Sequence, residues 1–299
     1  MTAQRINLRI DCLFFMTLLE VLISVTKTEE LVGTVLHAMP FSAGQTSLVT
    51  ILLFFFVAYA FTWILHGLIV LLHLPFKQTS KPHAQVLYFL GLGGPLIAAF
   101  LLAYLSYRQN AVVNLLNGAL NWRVGLIWYV LAIAPIGIIY LTSTVLYGLS
   151  QKKRVALFKR PSKRVLILIL SQVWVVIAEE FGWRGFALPH LQGLFGWLGA
   201  SFVLGIIWAS WHLPMFFVAG SNQYRSSFSQ YVYVLTVWSF FMAMLYYQTN
   251  GSILLCMIFH AAANLWGFTL DAPEGAERIA MLLYLPMLFV AVALLPWGF

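Results

Sequence analysis

Residues 46–73 read TSLVTILLFFFVAYAFTWILHGLIVLLH without one formal charge, long enough for a helix to cross the hydrocarbon layer of a bilayer. Comparable runs cover 84–107, 124–149, 194–219, 230–247, 252–269 and 279–297. An eighth, VLILILSQVWVVIA at 165–178, is short and continues into EEFGWRGFALPHLQ, so a span there has to carry charge. Spans of about 20 residues leave a chain of 299 residues only short loops. Apolar residues make up 62% and charged ones 9%, against about 45–50% and about 25% in soluble domains. A soluble enzyme, a disordered regulator and a small disulfide scaffold are thereby excluded. The expected fold is all-α, a polytopic transmembrane helix bundle of about eight spans occupying 46–299. Residues 1–45 form a separate N-terminal segment, whose apolar stretch 12–25 contains Glu20 and reads as an extra short span or an interfacial helix. Residues 109–123 place Val112, Val113, Leu116, Ala119 and Leu120 on one stripe, the pattern of a short interfacial helix.

The net charge of +8 invites a nucleic-acid partner until the charges are located. Seven of the 17 basic residues lie between Lys152 and Arg164, and the other ten nearly balance the nine acids. Such a cluster marks a cytoplasmic loop beside anionic lipid headgroups, at about 1 kcal/mol per basic residue near the surface. Lipid at 152–164, not nucleic acid, is the expected partner. An integral, multi-pass membrane protein follows, with loop 150–164 on the cytoplasmic side. Cys12 and Cys256 are far apart in apolar stretches and form neither a disulfide framework nor a thiolate metal site.

Acids carry more information than bases. Between residues 31 and 270 there are only two, Glu179 and Glu180, adjacent within an apolar stretch. A carboxylate at the bilayer centre costs roughly 2.5–3.5 kcal/mol, so it is paired or faces the bundle interior or water. Helical geometry divides the two. Residues four apart share a face, so Glu180 pairs with Arg184 in a structural role, whereas Glu179 points about 100° away and is free for general-base work. His212 follows Trp208 by one turn, and His260 precedes Asn264 by one turn, each pair on a common helical face. His66 and His73 read as buried side chains bonded to backbone carbonyls. A carboxylate to activate water, imidazoles to orient it and a carboxamide to donate to an oxyanion together specify water attack on an amide. There is no HExxH motif, and Asp11 and Asp271, the only aspartates, fall outside the spans.

Three spacings, Glu179-Glu180-x-x-x-Arg184, Trp208-x-x-x-His212 and His260-x-x-x-Asn264, resemble the motifs of the CPBP family, the CAAX protease and bacteriocin-processing or type II CAAX prenyl endopeptidase group. Gly94-Pro95 with Ala98-Ala99, Trp122-Arg123-Val124-Gly125 with Trp128-Tyr129, and Arg184-Gly185-Phe186 extend the likeness, which covers roughly 84–268. Trp208 stands where the family usually has Phe. The resemblance implies an eight-helix intramembrane endopeptidase acting on a peptide or membrane-protein substrate. Glu179 would activate water with help from His212. His260 and Asn264 would stabilise the oxyanion, while Glu180, Arg184 and Trp208 support the site. No cofactor is favoured; zinc held by Glu179, His212 and His260 is the metal-dependent alternative. The rival functions are a non-catalytic bacteriocin-immunity or scaffold protein, and a proton-coupled transporter using Glu179 and the histidines as a relay. A transporter would be favoured by inverted repeats or broken helices in two halves, and the sequence displays neither.

Overall fold

The computed structural model describes residues 48–76, 82–159 and 165–295. The N-terminal segment 1–45, with its expected extra helix, lies outside the described residues, as does the second half of the polybasic cluster. Among the described residues nine α-helices follow in order: α1 Leu48–Leu71, α2 His83–Gly91, α3 Gly94–Ala119, α4 Leu126–Ser150, α5 Val165–Glu180, α6 Leu188–Trp211, α7 Phe228–Gln248, α8 Ile253–Thr269 and α9 Ala276–Leu294. A π-helical segment, Phe181–Ala187, joins α5 to α6, and a 3-10 turn, Leu213–Phe217, follows α6. No strand occurs among the described residues.

Among the described residues six helical stretches are long and apolar enough to cross a membrane. One of them, Ile169–Phe217, is 49 residues long and is really two arms. Gly196 breaks it with φ 65° and ψ 174°, a left-handed backbone that a side chain would oppose. Helix α8, 17 residues and apolar, is the short member of the set. With both arms and α8 counted, the expected number of apolar segments is present. Leu52, Ile64, Leu126, Ile127, Leu282 and Phe289 are among the many large apolar side chains left exposed, the inverse of a soluble surface and the one a lipid solvent favours.

Two local expectations are corrected. Residues 109–119 are not a separate interfacial helix but the continuation of α3, because the polar Arg108-Gln109-Asn110 includes no Gly or Pro to stop it. His73 is not a buried side chain: it lies just past α1, exposed, with φ 49°. His66 does fit its expectation, buried with Nε2 donating to the Tyr88 carbonyl at 3.1 Å. Cys256 is packed, its Sγ 3.4 Å from the Met242 carbonyl.

Small residues let the centre close. Helix α3 packs on α1, on α5 and on the π segment. Ala98 and Ala99 are fully buried there, and a methyl group at Gly94 would collide with the Ala58 carbonyl. At Gly182 it would come within 2.6 Å of the Pro95 carbonyl oxygen. Overpacking of this kind typically costs 1–3 kcal/mol, so Gly182→Ala is expected to lower the thermal midpoint in detergent. A wild-type midpoint would show that the π segment does not depend on that approach. From Ala178 to Leu188 every residue except Gly185 is buried. Along the π segment Trp183, Arg184, Phe186 and Ala187 are all buried in protein.

Candidate active site

Glu179 and Glu180 end α5 at the edge of the π segment, both buried, and they diverge as the helical geometry requires. Arg184 Nη1 donates to both oxygens of Glu180, at 3.2 and 3.0 Å. The guanidinium carbon also lies 4.1 Å from the centre of the Trp208 ring, within cation–π range. Glu179 takes a different partner. The indole N–H of Trp208 donates to its Oε2 at 2.7 Å, so Trp208 meets Glu179 through its edge and, through its face, the Arg184 guanidinium that binds Glu180.

The two histidines differ through their Nδ1 atoms. His212 Nδ1 is 2.9 Å from the Trp208 carbonyl, one turn back in its own helix. His260 Nδ1 is 2.6 Å from Glu180 Oε1, across from α8 to α5. One ring therefore donates to a neutral carbonyl and the other to a carboxylate, and each keeps Nε2 for the space between the helices. The His260 ring meets the Trp208 ring edge to face at 5.2 Å, and His212 meets Tyr231 at 5.4 Å.

Glu179, Trp208, His212, His260 and Asn264 all line a single cavity of about 680 Å³, within the range of sites that take an extended ligand. Glu180 and Arg184 stand behind its wall. The cavity runs outward between the end of α8, the start of α7 and the start of α9, past Lys159, Gln223, Glu274 and Glu277. At that end, Phe158 and Leu270 form a short antiparallel bridge, with Lys159 N–H on the Thr269 carbonyl at 2.9 Å. The loop after α4 is thus tied to the cavity mouth.

Sequence reasoning missed two features. Glu180 is bound by His260 as well as by Arg184, a contact between residues 80 positions apart that no local spacing reveals. Gln172 lines the cavity and accepts from Asn264 Nδ2 at 2.8 Å. A signal for Gln172 was available: it lies seven residues before Glu179, two turns along the same helical face in an otherwise apolar run. Among the described residues no three His, Cys, Asp or Glu side chains gather as a metal-holding group, Glu179, His212 and His260 included.

Residues 161–266 match the family model of the Rce1-like type II CAAX prenyl endopeptidases. The chain is 34% identical over 99 residues to CAAX prenyl protease 2 of Methanococcus maripaludis, an overlap of 29% of this chain and 34% of the relative. The chain thus matches about a third of the length of that curated relative. The matched segment holds all seven residues singled out by spacing, and Gln172 besides. Over residues 161–266, then, this multi-pass membrane protein is similar to the type II CAAX prenyl endopeptidases.

Proposed function

We propose that the protein is an intramembrane endopeptidase in which Glu179 activates the attacking water. The reading is carried by one observation: Glu179, His212, His260 and Asn264, from three different helical regions, border the same cavity. Oε2 of Glu179 is occupied by Trp208, which leaves Oε1 to take a proton from water. His212 gives its Nδ1–H to a carbonyl, so its Nε2 is an acceptor and orients that water. As the water oxygen adds to the amide carbon, negative charge develops on the carbonyl oxygen. Asn264 donates an N–H to it, and His260, whose Nδ1 is held by the Glu180 carboxylate, donates from Nε2. Glu179 then returns its proton to the leaving amine as the C–N bond breaks. Every step uses only side chains of this chain.

The reading extends to placement and substrate. The polybasic loop is assigned to the cytoplasm of a bacterial-type plasma membrane, where Lys152, Lys153, Arg154 and Lys159 meet anionic headgroups. The cavity mouth lies at the same end of the bundle, so peptide enters from that side. The name of the relative, a CAAX prenyl protease, makes a prenylated C-terminal peptide the first substrate to try.

The test is cleavage of a farnesylated CAAX-type peptide and its unprenylated counterpart by purified protein in detergent. Wild type is expected to cleave at least one, His260→Ala to lose on the order of 10²–10³ in kcat as an oxyanion donor, and a chelator to change nothing. Full activity in folded His260→Ala would overturn the assignment of that ring. Loss under chelator, restored by zinc, would replace glutamate-activated water with metal-bound water.

A further inference from the structure

Resting on the endopeptidase reading, we infer that Gln172 is a positioning residue that fixes the carboxamide of Asn264 in the orientation needed to donate to the oxyanion.

An asparagine amide has two faces of opposite sense. Turned one way it offers the cavity an N–H, and turned the other way it offers a carbonyl oxygen, which repels a developing oxyanion. Something must hold it. Asn264 is only half-buried and borders the cavity, so burial alone does not lock its terminal torsion, and such sp³–sp² torsions are broad. The restraint comes from α5. Asn264 Nδ2 donates one hydrogen to Gln172 Oε1 at 2.8 Å, which ties the nitrogen to that helix and leaves its second hydrogen free.

Gln172 is itself well placed for this task. It is 5% exposed and borders the cavity, and its own amide nitrogen lies 3.5 Å from the Ser171 hydroxyl. That contact favours the nitrogen on the Ser171 side and the oxygen toward Asn264. Gln172 and Glu179 share a face of α5, as His260 and Asn264 share a face of α8. Helices α5 and α8 pack together and are joined at two levels, Glu180 with His260 and Gln172 with Asn264. Each level presents one proposed oxyanion donor from α8 and one acceptor on α5 that holds it. Gln172 thereby does for Asn264 what Glu180 does for His260.

The experiment compares wild type, Gln172→Met, Gln172→Leu, Gln172→Glu, Asn264→Ala and Gln172→Met combined with Asn264→Ala. Turnover of the farnesylated peptide is measured on folded protein, normalised by the thermal transition in detergent. Two acceptor-free variants are included so that one folded chain is available. Met and Leu are expected to lower kcat tenfold or more with KM within about threefold, and Glu, which keeps an acceptor oxygen, to recover most of the loss. Gln172→Met is expected to add nothing once Asn264 is Ala, because there is no amide left to orient. The inference is overturned if Gln172→Met lowers kcat by the same factor in both backgrounds, if Glu is as impaired as Met, or if Asn264→Ala is impaired and the acceptor-free variants are not. Unaltered turnover in Asn264→Ala would be a different failure, removing the oxyanion role of Asn264 and this inference with it, while leaving Glu179 as the base.

Discussion

Glu179→Gln is expected to reduce peptide turnover by about 10²- to 10⁴-fold, the range for losing a positioned general base, while the protein melts close to wild type. Both halves of that expectation follow from the surroundings. Glutamine has the shape of glutamate and retains an oxygen to accept the Trp208 indole N–H, the only hydrogen bond described for Glu179. What it lacks is the capacity to take a proton from water. The neighbouring substitution is expected to behave differently. Glu180→Gln removes the charge that binds Arg184 and His260 together, so it lowers stability as well as activity. Measuring kcat and thermal midpoint for the two single variants separates a chemical carboxylate from a structural one. Should Glu179→Gln keep a tenth or more of wild-type turnover, or should it unfold as readily as Glu180→Gln, the base would have to be sought elsewhere.

That division between adjacent glutamates was legible in the sequence because it depends only on local geometry: 100° between neighbours and a shared face for residues four apart. The bundle was legible for a similar reason, since bilayer thickness imposes a length on every apolar run. What escaped were the pairings made across helices. His260 with Glu180 and Asn264 with Gln172 depend on how α8 lies against α5, and no period in either run encodes that register. The π segment escaped as well. Its residues are permitted in an α-helix, and the i→i+5 pairing that distinguishes the wider turn leaves no mark in residue type or period. The false break near residue 109 has the opposite cause: a short polar group in an apolar run resembles a loop, yet without Gly or Pro the backbone had no reason to leave the helix.

Removing the guanidinium is expected to have the largest effect on stability. Arg184 is fully buried, with its Nη1 on both Glu180 oxygens and its plane beside Trp208. Deleting one partner of a buried ion pair typically costs about 3–5 kcal/mol, because the other charge is left without compensation. Arg184→Met therefore strands Glu180 with His260 alone and removes the support behind the indole that holds Glu179. Loss of turnover should accompany the loss of stability. The pair is nevertheless poorly optimised for stability: Arg184 Nε and Nη2 are buried without a hydrogen-bond partner, and each such group carries a desolvation penalty. Replacing both members, Glu180→Leu with Arg184→Met, is accordingly expected to melt above the Arg184→Met single variant. It should still be inactive, because His260 has lost the carboxylate that orients it. Thermal midpoints and turnover of the two singles and the double decide the matter. If the double is no more stable than Arg184→Met, the cost lies in lost packing; if it is both stable and active, the pair serves neither His260 nor the base. A pair retained at some expense in stability, beside a carboxylate that it keeps in place, is the signature expected of a charge array maintained for chemistry rather than for folding.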